Sequence, residues 1–547
     1  MPFATRSLIV TMAVALLGLF AGPQSATADS YVKVTGSGST WSQVAIDAWR
    51  SDVNKNGIAI DYNGNGSTAG RLDFIAGLND FGVSEIPFQL HPEDGSSPEI
   101  SPRPYAYLPI VAGGTSFMYH LTVAGHRVTD LRLSGTTLTK IFTGVINNWA
   151  DPAVTADYGR ALPSEPITPV IRSDGSGTSA QFTLYMSKQY SSLWNAFCVK
   201  YAHATPPCGL YSFYPGFPGS KAQTGSNGVA DYVAASYGEG SIGFVEYAYA
   251  LNLGYPVAKI LNAAGYFTAP TASNVGVALT KAGINADLTQ NLDGVYANPD
   301  RRTYPLSSYS YMIVPTDTHA PFTTDMGKTL STYIDYFLCA GQQKGAALGY
   351  SPLPLNLVQA GFAQVHKIPG NIGTPDGAQL ANCHNPTFEG GTNVLLQNAP
   401  FPAACDRLGA PPCGAPVASS TGTYPTTTTN TGAAGSTGGA TSTSTTRASG
   451  ASGTSAGNGG QTPAGGSPNT LGAARSAGPV DPVTGLAAGP DSATGTGSLL
   501  GTSTSVAATR PDAQHLLEGL TAFELLLALS IPPALAAYLR RRRRGAA

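Results

Sequence analysis

Ile167-Thr168-Pro169-Val170-Ile171-Arg172 runs straight into Ser173-Asp174-Gly175-Ser176-Gly177-Thr178. The first six residues read as a short buried strand, and the next six as a Gly-rich turn with hydroxyls at the start of a helix. A helix N-terminus offers unpaired backbone N–H groups and the positive end of its dipole, and glycine lets an anion approach the backbone. Arg172 adds a planar guanidinium fork suited to tetrahedral oxyanions, which Asp174, two residues on, can hold in place.

Two earlier turns share this composition: Gly36-Ser37-Gly38-Ser39-Thr40-Trp41 and Gly64-Asn65-Gly66-Ser67-Thr68. Each alone is equally an N-cap with a tight turn. Three in one chain, one carrying Arg-x-Asp, would on converging bind a small oxyanion and strip its water. Around them strands and helices alternate. Tyr31–Thr35, Ile58–Tyr62, Phe81–Ser84, Tyr107–Ala112, Ile167–Arg172 and Ile242–Val245 read as strands. Trp41, Val44, Ala45, Ala48, Trp49 and Val53 mark one helical face, and Leu72, Ile75 and Leu78 another. This alternation predicts an α/β fold with parallel sheets.

The flanks differ in texture. Arg6, the apolar stretch Leu8–Phe20 and the small residues Ala26-Thr27-Ala28 read as a cleaved secretory signal over 1–28. No cysteine precedes Cys198, so no lipid can be attached near it. The six cysteines of an exported chain suit disulfides better than metal. Short-loop pairing gives Cys198–Cys208, Cys405–Cys413 and then Cys339–Cys383, one of fifteen connectivities. From 416 to 510 Thr, Ser, Gly and Ala dominate, a composition too poor in large apolar residues to fold. Leu520–Leu539 is mostly apolar and is followed by Arg540–Arg544, which reads as a transmembrane helix with a basic cytoplasmic tail over 540–547. Glu524 and Pro532-Pro533 leave a surface helix as the other reading.

The formal charge of −2 and the charged fraction of 11% give no basic face for nucleic acid. The histidines are dispersed, without zinc-site spacing. Gly453-Thr454-Ser455-Ala456-Gly457 matches a hydrolase elbow only inside the low-complexity segment. No cofactor, metal or catalytic set emerges.

The globular part resembles the phosphate-binding protein of the bacterial phosphate ABC transporter. The strings that carry the likeness are Gly36–Trp41, Gly64–Gly70, Asp80–Glu85, Ile141–Gly144 with Ile146–Trp149, Arg172–Thr178 and Gly240–Tyr247. The resemblance implies a two-lobed, type II periplasmic-binding-protein domain with phosphate in the cleft. Residues 29–110 and 300–380 would form lobe one, 111–299 lobe two, and 381–415 a disulfide-stapled tail. Thr40 and Trp41 (commonly Phe in the family), Ser67, Arg172, Ser176, Gly177 and Thr178 would contact phosphate, with Asp174 orienting Arg172. The family's cleft carboxylate, usually Asp, falls on Glu85. Phosphate near neutral pH keeps a proton that a carboxylate can accept, whereas sulfate meets only repulsion. The implied partners are inorganic phosphate and an importer permease, with the binding domain on the extracytoplasmic side of the cell membrane. Two rivals remain: a phosphate-ester hydrolase on the same scaffold, and a surface interaction protein that has lost transport.

Overall fold

A computed structural model describes residues 31–373, 380–388 and 392–413. The signal, the low-complexity segment, the apolar C-terminal stretch and the basic tail lie outside the described residues. Among the described residues no helix is long and apolar enough to cross a membrane.

The first Gly-rich turn joins β1 (Val34–Gly38) to α1 (Gln43–Asn54), and the second joins β2 (Ile60–Asn63) to α2 (Ser67–Ile75). Then come β3 (Phe81–Ser84) and the long β4 (Tyr105–Tyr119). The third turn joins β5 (Thr168–Arg172) to α3 (Gly177–Gln189). Further on lie β6 (Lys221–Gln223), α4 (Gly225–Ala234), β7 (Ser241–Glu246), α5 (Tyr247–Leu253), β8 (Ser307–Pro315), α6 (Thr324–Leu338) and α7 (Leu355–Val365). Eight strands form one sheet in the order β2-β1-β3-β8-β4-β7-β5-β6.

This is a two-lobed α/β fold, and β4 explains how the lobes share one sheet. Its first ten residues, Tyr105–Gly114, pair antiparallel with β8, and Thr115–Tyr119 pair antiparallel with β7. The change of partner falls just after Gly113-Gly114. A Cβ at Gly113 would lie 2.7 Å from the Trp41 ring and 2.9 Å from Glu246 Oε1, so the backbone approach there requires glycine. Parallel pairing, expected from the alternation, occurs at β1–β2, β1–β3, β5–β7 and β5–β6, the last with a strand the sequence did not announce. The sheet is nonetheless mixed, because β4 and β8 run antiparallel to their neighbours.

Of its predicted face, helix α1 buries Ala45, Trp49 and Val53, whereas Val44 and Ala48 are only half-buried and Ile46, outside that face, is buried; Trp49 stacks on Phe337 of α6 with centroids 5.1 Å apart. The face predicted for the next helix is corrected. Leu72 is 47% and Leu78 75% exposed, and α2 instead buries Thr68, Gly70, Arg71 and Phe74. Gly70 abuts the Gly38 backbone so closely that any Cβ would overlap it. Arg71 pairs with Glu99 through Nε to Oε2 at 2.7 Å and Nη2 to Oε1 at 2.9 Å. Close backbone packing and a long-range ion pair, rather than an apolar stripe, seat this helix.

Two of the three expected disulfides are present, Cys339–Cys383 and Cys405–Cys413. The third is not: Cys198 and Cys208 are buried thiols. Burial, with the hydrogen bond and charge of Cys208, holds the Cys198 thiol well above its usual pKa, and a protonated thiol does not exchange. The segment after Cys383 crosses the molecule. Asn385 Nδ2 and Thr387 Oγ1 donate to Leu353 O, whereas Arg132 donates to Cys405 O at 2.7 Å and Lys259 pairs with Asp406 at 2.7 Å.

Candidate anion site

The turns at the C-terminal ends of β1, β2, β3 and β5 meet across the cleft, where open α/β sheets place ligands. Thr68 N donates to Gly175 O at 3.0 Å, linking the second and third turns directly. Gly66, at φ 101°, lies so near that a Cβ would stand 2.6 Å from Asp174 Oδ2. Gln181 of α3 donates through Nε2 to Glu85 O at 2.7 Å.

Glu85 is 1% exposed and follows β3 directly. Its Oε2 accepts from Ser67 Oγ at 2.6 Å, and its Oε1 accepts from Ser39 Oγ and, at 3.4 Å, from Ser42 Oγ. The opposite wall is Gly177, the first residue of α3. A Cβ there would overlap Glu85 Oε2 and lie 2.7 Å from Ser67 Oγ. Hydroxyls of the first two turns and the N-terminus of α3 thus converge on one buried point.

Arg172 is 2% exposed. Its Nε donates to Asp174 Oδ1 at 2.7 Å, its Nη2 to Asp174 Oδ2, and its Nη1 to Ser226 Oγ at 3.3 Å. Burial works against the Asp174 carboxylate, but the hydrogen bonds and charge of Arg172, with the N–H of Gly225, outweigh it. The pKa of Asp174 is therefore held below its ordinary value. Ser176 caps α3, accepting from Ser179 N at 3.2 Å. Thr178 Oγ1 and Ser179 Oγ are buried without a protein partner.

The structure therefore brings together Thr40, Ser67, Glu85, Arg172, Asp174, Ser176, Gly177 and Thr178. Thr40 Oγ1 is engaged with Ser226, whose N–H donates to it at 3.0 Å. The Trp41 side chain stands apart from the cluster. Its indole is buried edge-on against Tyr350, and its carbonyl accepts from Tyr350 OH at 2.6 Å. Sequence reasoning missed Ser39, Ser42, Gln181 and Ser226. Thr224-Gly225-Ser226 at the start of α4 is a fourth turn of the same composition and was the available signal.

Residues 21–340 match the PBP superfamily domain. The phosphate-binding protein PstS of Xylella fastidiosa (strain Temecula1) is 32% identical over 342 residues, covering 62% of this chain and 86% of that protein. PstS of Pasteurella multocida is 30% identical, covering 60% and 89%. Among solved structures, the phosphate-binding protein from Stenotrophomonas maltophilia is 17% identical with a TM-score of 0.46, covering 63% of this chain and 97% of that one. The chain belongs to the PBP superfamily and, within it, to the family of the PstS phosphate-binding proteins.

Proposed function

We propose that this protein captures inorganic phosphate outside the cytoplasm and hands it to an ABC importer, as a binding protein and not an enzyme. The observation that carries this reading is the meeting of Glu85, Ser67 and the α3 N-terminus across the cleft. In this reading Arg172, fixed by Asp174, supplies countercharge. Thr40, Ser67, Ser176 and Thr178, with the backbone at Trp41 and Gly177, supply donors, and Glu85 accepts the proton that phosphate retains and sulfate lacks.

The lobes are then residues 29–110 with 300–380, and 111–299, followed by the 381–415 tail. The sequence beyond supports a tether: a stalk over 416–510, a span over 520–539 and a basic tail inside the cell. Calorimetric titration of the full chain in detergent tests the binding function. Phosphate should bind at least about a hundredfold more tightly than sulfate, roughly 2.7 kcal/mol. Absence of binding by any oxyanion would overturn the reading and leave a surface interaction protein on the same fold.

A further inference from the structure

Beside the site, where β4 and β8 pass between the lobes, lies a small cavity of about 10 Å³. Thr115, Gln181, Tyr296 and Ser308 line it, with Leu292 and Leu306 as apolar walls. All four polar residues are more than nine-tenths buried. Thr115 Oγ1, Gln181 Oε1, Tyr296 OH and Ser308 Oγ each lack a protein hydrogen-bond partner.

Four such groups around one small void are far from the usual condition of buried polar atoms, which are nearly always paired. Left unpaired, each would bear the full cost of losing its water. The space holds about one water-sized sphere, and a water needs two to four polar neighbours. The donor count also closes. Gln181 Nε2 already donates to Glu85 O, so Gln181 Oε1 can only accept. A water donating there and to one hydroxyl, while accepting from two others, satisfies all four groups.

We propose that a single ordered water occupies this cavity as a structural part of the hinge and positions Gln181. It ties the chain crossing at Thr115 and Ser308 to α3, and through Gln181 to the carbonyl of Glu85. Closure of the two lobes and hydration of the hinge are thereby coupled. The positioning role rests on the cleft reading above, but the presence of the water does not.

A crystal structure of the protein at about 1.5 Å resolution tests the water whether or not phosphate binds. One peak should lie about 2.6–3.0 Å from at least three of the four oxygens. A dry cavity would overturn the proposal. So would a peak with contacts near 2.4 Å, because an oxygen-ligated cation and not water would then fill the site. For positioning, Thr115→Val and Ser308→Ala each remove one hydroxyl at little cost in volume. Together they should displace the water and speed phosphate dissociation by about threefold or more, roughly 0.65 kcal/mol. Dissociation unchanged after the water is lost would remove the positioning role. Should the pair fail to fold, Ser308→Ala alone is read by the same density and dissociation rate.

Discussion

The two faces of the cleft are built from one local device, a strand entering a helix through a Gly/Ser turn, yet they carry opposite chemistry. The face made by the β1, β2 and β3 ends presents Ser39, Ser42 and Ser67 around the carboxylate of Glu85. The face made by the β5 and β6 ends presents Arg172 locked to Asp174, Ser226 and the buried hydroxyl of Thr178. One face carries the acceptor that can choose between anions, and the other carries the charge that can hold one. The division implies that substitutions on the two faces fail differently, one in affinity and the other in selectivity.

The largest effect should come from the holding face. Arg172→Ala leaves Asp174 buried without its partner and a bound anion without its countercharge. Breaking a buried charge pair costs about 3–5 kcal/mol, so phosphate affinity should fall by more than roughly a hundredfold. Titration of a variant with wild-type circular dichroism is the measurement. A loss under about tenfold, roughly 1.4 kcal/mol, would move the holding charge elsewhere.

Next comes the line where the faces touch. Gly177→Ala puts a methyl against Glu85 Oε2 and Ser67 Oγ. Overpacking of this kind costs about 1–3 kcal/mol, and here it falls on the closed form alone. Affinity should drop by about tenfold or more, and small-angle scattering should show less compaction on adding phosphate than in the wild type. Full compaction and full affinity would mean that the faces do not close against each other at Gly177.

How far this site could be read in advance depended on range along the chain. The turns at Gly36–Trp41, Gly64–Thr68 and Arg172–Thr178 announce themselves because strand, glycine and cap are neighbours in sequence. Phe81–Ser84 is found at its predicted position for the same reason. β4 was expected only over Tyr107–Ala112, because the Gly113-Gly114 pair breaks its local signal. The full run Tyr105–Tyr119 exists because two other strands pair with it. The exposure of Leu72 and Leu78 follows from Gly70 and from the Arg71–Glu99 pair, neither of which leaves a periodic trace. Ser226 was hidden behind Lys221–Gln223, a strand too short and polar to recognise without its partner β5.

On the choosing face, Glu85→Gln should leave phosphate affinity less changed than selectivity. The amide no longer repels a fully ionised anion and can donate to it, so preference for phosphate over sulfate should shrink by about tenfold, roughly 1.4 kcal/mol. Competition titrations with both anions read this directly. Unchanged preference would place the discriminating acceptor elsewhere in the cleft.

The smallest effect concerns a second buried carboxylate that sharpens the contrast. Glu85 is ringed by three serine hydroxyls, whereas Glu246 ends β7 against the Trp41 ring and Gly113. Its Oε2 accepts from Ala248 N at 2.5 Å, and its Oε1 is buried without a partner. Burial is the main force on Glu246 and raises its pKa well above the ordinary carboxyl value. The backbone N–H groups of Ala248 and Tyr247 and the Tyr350 hydroxyl oppose the shift, and the charge of Glu85 adds to it. A carboxyl raised in the folded state holds its proton more tightly there than in the unfolded chain. Its contribution to stability is therefore full below the ordinary carboxyl pKa and is lost as pH rises toward the folded value. Glu246→Gln keeps an acceptor for the Ala248 N–H and removes the titration. The variant should thus match the wild type near pH 4 and exceed it at pH 7 by about 1 kcal/mol, a few degrees in Tm. Thermal unfolding across pH 4–8 decides it. Parallel profiles for the two proteins would show that Glu246 does not titrate differently on folding, and that its environment is better solvated than its burial implies.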